Sequence, residues 1–375
     1  MMARKNNNVV SETVSDDPKW AAMQQVVNSI KKEFGESSVF AATDRGLSVD
    51  VISTGSLSID IATGVGGFPR GRIIEVFGPE SSGKTTIALS AIASAQKAGG
   101  TTVFIDTENA LDPTYAERIG INLDRLLISQ PNSGEEALRI AEKFVENGVV
   151  DLIVLDSVAA LVPSAEISGE IGDSHVGLQA RLMSQALRKL SGIINKTKTV
   201  MIFTNQLRDK VGMSSYGPSE TTSGGRALKF YATMRLDVRR IQSLKTSSGV
   251  VGARTKVKIV KNKVAPPFRE AEFDIIFPNG ISLPGELIDY GVANNLVSKR
   301  GAYFEFEDVR AQGKDKMRAA LIEKPEAAFR LHSQVLALYG LPELTYMPRY
   351  GDVHDTVEIS EDDFSSVNPD FELEE

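Results

Sequence analysis

The sequence predicts an α/β protein built on a mostly parallel central sheet, and three observations predict it. First, apolar, β-branched runs that read as buried strands alternate with Gly- and Pro-free runs that read as helices. Second, Gly78-Pro-Glu-Ser-Ser-Gly-Lys-Thr-Thr86 fits the phosphate-loop pattern through Gly78, Gly83, Lys84 and Thr85. Third, that loop has the right flanks: a strand, Arg72–Phe77, before it and an Ala-rich helix, Ile87–Gln96, after it. A glycine turn between strand and helix gathers backbone N–H groups and a positive dipole end around a polyphosphate. The loop 78–86, with Pro79, Glu80, Ser81, Ser82 and Thr86 between its constrained positions, is therefore the expected nucleotide site of a P-loop NTPase core.

Composition narrows the classes. The 375 residues suffice for two or three domains. There is no cysteine, which excludes disulfides and thiolate metal sites and fits a cytoplasmic location. The N-terminus has no apolar signal region and no apolar run reaches membrane-spanning length, so no membrane partner is expected. The net charge of −7 is uneven. Residues 352–375 hold ten acidic and no Lys or Arg residues, whereas Arg226–Lys263 holds eleven basic residues and one acid, Asp237. A basic belt beside an acidic tail suggests a polyanion partner and an internal competitor for it.

Along the chain, Asp17-Pro18 opens a helix whose stripe of Trp20, Met23, Val27, Ile30 and Phe34 ends at Gly35. The stripe suits packing on the chain's own core or on a neighbouring subunit. After the phosphate loop come strand Thr101–Glu108, a helix from Pro113, strand Leu126–Gln130, helix Gly134–Asn147 and strand Val149–Ser157. A right-handed, parallel crossover follows the phosphate loop. Helix Gly177–Ile194 carries Arg181 and Arg188, strand Thr199–Gln206 ends in two amides, and a Gly/Ser-rich loop spans 207–225. Strands are then expected at Phe230–Arg240, Arg254–Val260 and Ala271–Phe277. Beyond Leu283 short helices surround one aromatic strand, Ala302–Phe306. The domains so drawn are a tail and helical arm (1–48), an ATPase core (49–282), a small α+β domain (283–350) and an acidic tail (351–375).

The chemistry follows from residue types. Lys84 neutralises phosphate charge, while Thr85 and Asp156, at the end of a buried strand, are the expected Mg²⁺ site. Glu108, two residues past Asp106 on a strand expected beside the phosphate loop's, is the candidate that orients water. Gln206, at the root of the 207–225 loop, could contact the γ-phosphate and tie nucleotide state to loop order. Arg208, Lys210 and Tyr216 in that loop, with the helix arginines and the basic belt, suit single-stranded nucleic acid. Arg254, Lys256 and Lys258 equally suit a charge-protected edge strand.

These passages, with Ile52–Asp60, Phe104–Pro113, Asp156–Leu161, Gly169–His175, Glu220–Gly225, Ala227–Tyr231 and Lys261-Asn-Lys263, resemble the RecA recombinase family over roughly 36–350, its bacterial-type branch most. The resemblance implies a RecA-like core. It also implies an ATP-dependent recombinase of recombination, repair and the SOS response that forms a helical filament on single-stranded DNA, pairs it with homologous duplex and exchanges strands. Loader or single-strand-binding proteins could assist. By position, Glu108 resembles the catalytic glutamate, Gln206 the γ-phosphate sensor, and Asp112 and Tyr115 the adenine-side contacts. Lys261 and Lys263 resemble lysines that reach the neighbouring subunit's ATP. Gly169, Glu170, Ile171 and Gly172 fall in the first DNA loop and Arg208 and Tyr216 in the second; Arg181, Arg188, Gly224 and Gly225 resemble DNA-backbone contacts. The N-terminal helix resembles a polymerisation arm, the C-terminal domain a duplex-gathering module, and the acidic tail its restraint. Asp209, Ser214-Ser215, Asn109 and Arg226 depart from the family's usual residues. A ring-forming helicase or signalling ATPase, or a DNA-binding filament using ATP only for assembly, are the alternatives on the same core.

Overall fold

The computed structural model describes residues 18–39, 49–170, 177–209, 220–246 and 249–351. It divides into two units, Met1–Val49 and Asp50–Glu375. In the first, α1 (Pro18–Phe34) ends in Lys31 and Lys32, with Gly35 (φ 94°) beyond. None of its residues is buried, and Trp20, Met23, Val26 and Phe34 are exposed. Its expected cap, Asp17, and the acidic tail lie outside the described residues.

The second unit begins with an antiparallel pair, β1 (Val51–Ile52) and β2 (Phe68–Pro69), around α2 (Leu57–Thr63). Strands and helices then alternate: β3 (Ile73–Gly78), α3 (Lys84–Lys97), β4 (Thr102–Asp106), α4 (Pro113–Ile119), β5 (Leu126–Ser129), α5 (Gly134–Glu146), β6 (Leu152–Asp156), α6 (Ser164–Ile167), α7 (Leu178–Thr197) and β7 (Val200–Asp209). Next come β8 (Glu220–Thr222), α8 (Ala227–Tyr231), β9 (Met234–Thr246), β10 (Gly249–Asn262), β11 (Glu270–Ile276) and β12 (Gly280–Ile281). The main sheet runs β12-β11-β10-β9-β3-β7-β6-β4-β5, with β8 paired to the end of β7. It is parallel from β9 to β5 and antiparallel from β9 to β12.

Period-two alternation explains why the inner strands are apolar throughout. Ile74, Val76, Phe104, Leu152, Val154 and Ile202 face a core shared with Ile87, Leu89 and Ile92 of α3. Their neighbours Ile73, Val103, Ile105, Ile153, Leu155 and Phe203 face a second core with α5 and α7. Helices cover both sides, so both faces of these strands are mainly apolar, and the buried polar exceptions, such as Glu75, Thr204 and Asn205, are hydrogen-bonded. The remaining elements are α9 (Leu283–Ala293), β13 (Ser298–Arg300), β14 (Tyr303–Phe306), β15 (Val309–Gln312), α10 (Lys314–Glu323) and α11 (Pro325–Leu338). They build a third core around Leu287, Phe304, Leu321 and Leu331 that also takes in Leu57 and Ile61 of α2.

The structure corrects five expectations. β3 and β4 are parallel but not adjacent, because β7 and β6 lie between them. Phe230 and Tyr231 end a helix whose Leu228 is buried, and the strand starts only at Met234; the tertiary site of Leu228 outweighs the β preference of the aromatics. Leu207–Asp209 pairs with Glu220–Thr222, so the root of the 207–225 loop is a two-stranded ribbon. β10 is an interior strand, and its Arg254, Lys256 and Lys258 face Asp274, Glu272 and Glu270 of β11 in register. Cross-strand ion pairs such as Lys256–Glu270 (2.8 Å), not edge protection, account for their alternation. The single aromatic strand is the centre of a three-stranded sheet whose outer strands, Ser298–Arg300 and Val309–Gln312, are short and largely polar.

Candidate nucleotide and nucleic-acid site

Register puts the chemical residues at one end of the sheet. Gly78 is the parallel partner of Gln206, and Asp106 of Asp156, so four strands deliver their carboxyl ends together. Glycine is required at two points of the loop. A Cβ on Gly78 would lie 2.1 Å from the Val238 carbonyl of β9. Gly83 starts α3 at φ 98°, where a Cβ would meet Ile275 at 2.5 Å.

Inside this cradle Lys84 is buried and donates to the Pro79 carbonyl at 2.6 Å. Burial lowers its pKa, against the pull of Asp156, Glu108 and Glu80. Thr85 Oγ1 donates to Asp156 Oδ2 at 2.6 Å, and Thr204 Oγ1 donates to Asp156 Oδ1. Burial raises the Asp156 pKa; the Thr204 and Thr85 donors and Lys84 oppose it, while Glu108 adds to it. The buried Ser82 and Thr255 hydroxyls have no hydrogen-bond partner among the described residues, and both line the pocket that holds Lys84 and Thr85. Orphaned hydroxyls in a cradle with a buried cation fit a polyphosphate. One hydroxyl and one carboxylate fit a cation held jointly with phosphate oxygens, as Mg²⁺ is. Tyr115 of α4 and Thr86 of α3 share a hydroxyl–hydroxyl bond of 2.8 Å, while Asp112 caps α4 through Thr114 N–H.

Glu108 is exposed at the end of β4, yet its side chain is held. Ser157 Oγ donates to Glu108 Oε1 at 2.5 Å and Gln206 Nε2 donates to the same oxygen at 3.1 Å. Thus a strand three places away still brings Glu108 to the site. Asp106 does other work, accepting from Ala110 N–H, Leu111 N–H and Gln130, which fixes the turn that carries Glu108.

Lys261 and Lys263 are not brought to this loop. Lys261 pairs with Arg235 beside Glu75, towards the start of β3, whereas the phosphate loop leaves its other end. Lys261 Nζ donates to the Lys229 and Phe230 carbonyls, and Lys263 to that of Phe230. Burial, with repulsion from Lys263 and Arg235, pushes the Lys261 pKa down to about 8.

Towards nucleic acid, Gly224 and Gly225 adopt φ 78° and 77° and press on Val158 and on Ala180 at the start of α7. Gln179 locks this corner: it accepts from Gly224 N–H and donates to the Val158 and Leu161 carbonyls. The next residues on α7 include the exposed Arg181, with Arg188 exposed two turns on, and Arg208 is exposed on β7. Gly169 and Glu170 follow α6, whereas Ile171, Gly172, Lys210 and Tyr216 lie outside the described residues. From the loop's root, Asn205 donates to the Ser223 carbonyl and to buried Glu75, which also holds Arg235 at 2.5 Å.

Sequence models of the RecA N-terminal domain and RecA C-terminal domain match residues 21–282 and 285–340. The chain belongs to the RecA family. It is 56% identical over 329 residues to the protein named RecA of Clostridium perfringens (strain SM101 / Type A), covering 87% of this chain and 93% of that one. The RecA of Nocardioides sp. is 56% identical over 322 residues (85% and 92% covered), and that of Caldanaerobacter subterraneus subsp. tengcongensis 54% over 325 (86% and 95%).

Within this RecA-family site the structure adds residues that sequence reasoning missed. Ser157 and Thr204 hold the two key carboxylates, and a hydroxyl directly after a strand-terminal acid was the available signal for Ser157. Phe277, just past β11, and Arg240 of β9 line the phosphate-loop pocket. No local pattern marks them, because only the sheet order brings those strands to the loop.

Proposed function

We propose that this RecA-family chain couples ATP hydrolysis to DNA strand exchange through the residues gathered at the carboxyl ends of β3, β4, β6 and β7. The family's activity is that of a DNA-dependent ATPase and recombinase acting in recombination and repair. The observation that carries the assignment of roles is the shared hydrogen bonding at Glu108, where the candidate base meets Gln206 at the root of the candidate DNA loop.

In this reading Lys84 and the N–H groups of Gly83–Thr86 bind the β- and γ-phosphates. Thr85 and Asp156 hold Mg²⁺, which neutralises charge developing on the phosphoryl oxygens. Asp112 and Tyr115 face the adenine. Glu108 accepts a hydrogen bond from the attacking water and aligns it on the γ-phosphate. Gln206 senses that phosphate, and its strand continues directly to Arg208, so loss of phosphate alters the root of the DNA loop. The Lys261 and Lys263 ammonium groups serve the site of a neighbouring subunit in a filament, as their position far from their own phosphate loop suggests. Gly169–Gly172, Arg181, Arg188, Arg208, Tyr216, Gly224 and Gly225 contact the DNA backbone; the helix α1 joins subunits, and residues 283–350 gather duplex. Loader proteins and a cytoplasmic site of action are part of the proposal. No helix among the described residues is long and apolar enough to cross a membrane.

The test is strand exchange between circular single-stranded and homologous linear duplex DNA. Joint molecules should form with ATP and not without it. ATP hydrolysis with no exchange product would instead favour a motor or ring ATPase.

A further inference from the structure

After α11 the chain turns back over the nucleotide-binding core. Leu341 and Tyr350 are buried, and Pro342 packs beside Gly66, 2.9 Å from where a Cβ there would stand. Near the end of this strap Arg349, half-buried, donates from Nη1 to the carbonyl oxygens of Glu117 (3.3 Å) and Arg118 (2.5 Å). Both carbonyls belong to the last turn of α4. The Glu117 carbonyl also accepts from the Gly120 N–H at 2.9 Å, and a cation beside these carbonyls suits the negative end of the helix dipole. Gly120 closes α4 at φ 104°, and a Cβ on it would stand 3.3 Å from Arg349 Cδ, so the arginine stem lies along the helix cap.

The other end of α4 carries Asp112 and Tyr115. Asp112 spends one oxygen, Oδ1, on the cap of Thr114 N–H, and Tyr115 is tied to Thr86 of the phosphate loop. Seven residues are too few for a helix to sustain itself; Ala116 alone among them is fully buried, with Tyr115 and Ile119 packed partly against the core. The placement of α4 therefore rests on that narrow face and on tethers at its two ends, and the tether at the far end comes from the C-terminal strap.

We propose that Arg349 is a positioning residue for the nucleotide base: by holding the carbonyl end of α4, it fixes where Asp112 and Tyr115 meet the adenine. This rests on the reading that those two residues contact the base. It makes affinity for ATP depend on the last residues of the 283–350 domain, which reach α4 through Arg349.

The full chain tests this through KM and kcat for DNA-stimulated ATP hydrolysis, with inorganic tripolyphosphate, which lacks a base, as a competitor. In Arg349→Ala, loss of a charge-assisted hydrogen bond should raise KM about five- to tenfold and leave kcat within about twofold. Inhibition by tripolyphosphate should not change, and Arg349→Lys, which keeps a donor at the same helix end, should recover most of the lost affinity. An unchanged KM, or equal weakening towards ATP and tripolyphosphate, overturns the proposal. If Arg349→Ala does not fold, Arg349→Gln with a wild-type melting temperature decides by the same readings. Tyr115→Ala separates the two layers. A raised KM there beside an unchanged KM in Arg349→Ala removes the strap's role and leaves the base contact standing, whereas no change in either removes both.

Discussion

Glu108 Oε1 accepts two hydrogen bonds, from Ser157 and Gln206, so the candidate base is oriented by one neighbour on β7 and another just past β6. A carboxylate that aligns water is needed for turnover but not for holding ATP. Glu108→Gln should keep ATP-dependent DNA binding and lose hydrolysis about 10²- to 10⁴-fold. Filter binding beside steady-state hydrolysis checks both halves, and unimpaired hydrolysis would remove Glu108 from the role. The placement of residues was readable where a sequence pattern carries it: the phosphate loop pointed to Lys84 and Thr85, and a strand-terminal acid to Asp156, which Thr85 meets. Ser157 had only the weak signal of following a strand-terminal acid, and Thr204 and Gln179 had none. Hydroxyls and amides are common along any chain, and only the tertiary structure says which of them faces a carboxylate.

Among the elements, α2 and α9 meet through a buried carboxylate. Glu286 of α9 accepts from Ser56 Oγ (2.6 Å), Leu57 N–H (3.1 Å) and Ser58 N–H (3.0 Å), and so caps the start of α2. Burial pushes its pKa up to about 7, as it does that of Asp60 in α2. Both groups are near 4 when unfolded. Between about pH 4 and 7 the folded state therefore keeps protons that the unfolded chain has shed, and stability falls as pH rises through that window. Thermal melts should give a lower Tm at pH 8 than at pH 6. Glu286→Gln should flatten that slope, although its amide N–H₂ opposes the Leu57 N–H and lowers the Tm throughout; an unaltered slope would refute the coupling. The same scale shows why the element pattern was only partly legible. Strands buried on both faces announce themselves as apolar runs, whereas β8, β13 and β15 are three or four residues long and are held by pairing with the strand next to them in the chain. Charge alternation in β10 reads alike for an edge and for an interior strand facing acids; the partner strand decides between them.

At the scale of the whole molecule, the phosphate loop and the Lys261/Lys263 pair occupy opposite ends of β3. If one subunit's lysines complete the next subunit's site, two defective chains can complement each other. Glu108→Gln supplies intact lysines, and the double variant Lys261→Ala with Lys263→Ala supplies an intact Glu108. Each alone should show little DNA-stimulated hydrolysis, while an equal mixture should recover up to about a quarter of the wild-type rate, because about one interface in four joins two intact halves. A mixture no better than its components would place the lysines outside catalysis. If the lysines do complete the neighbour's site, sites and subunits are not counted alike. A row of n subunits joined head to tail would close n − 1 composite sites, so an isolated chain would close none, a pair one, and every filament would keep one terminal nucleotide that no neighbour's lysines reach. Turnover per subunit would then rise with filament length towards a plateau, and one end would keep its ATP as a bound cap while the interior consumes its own.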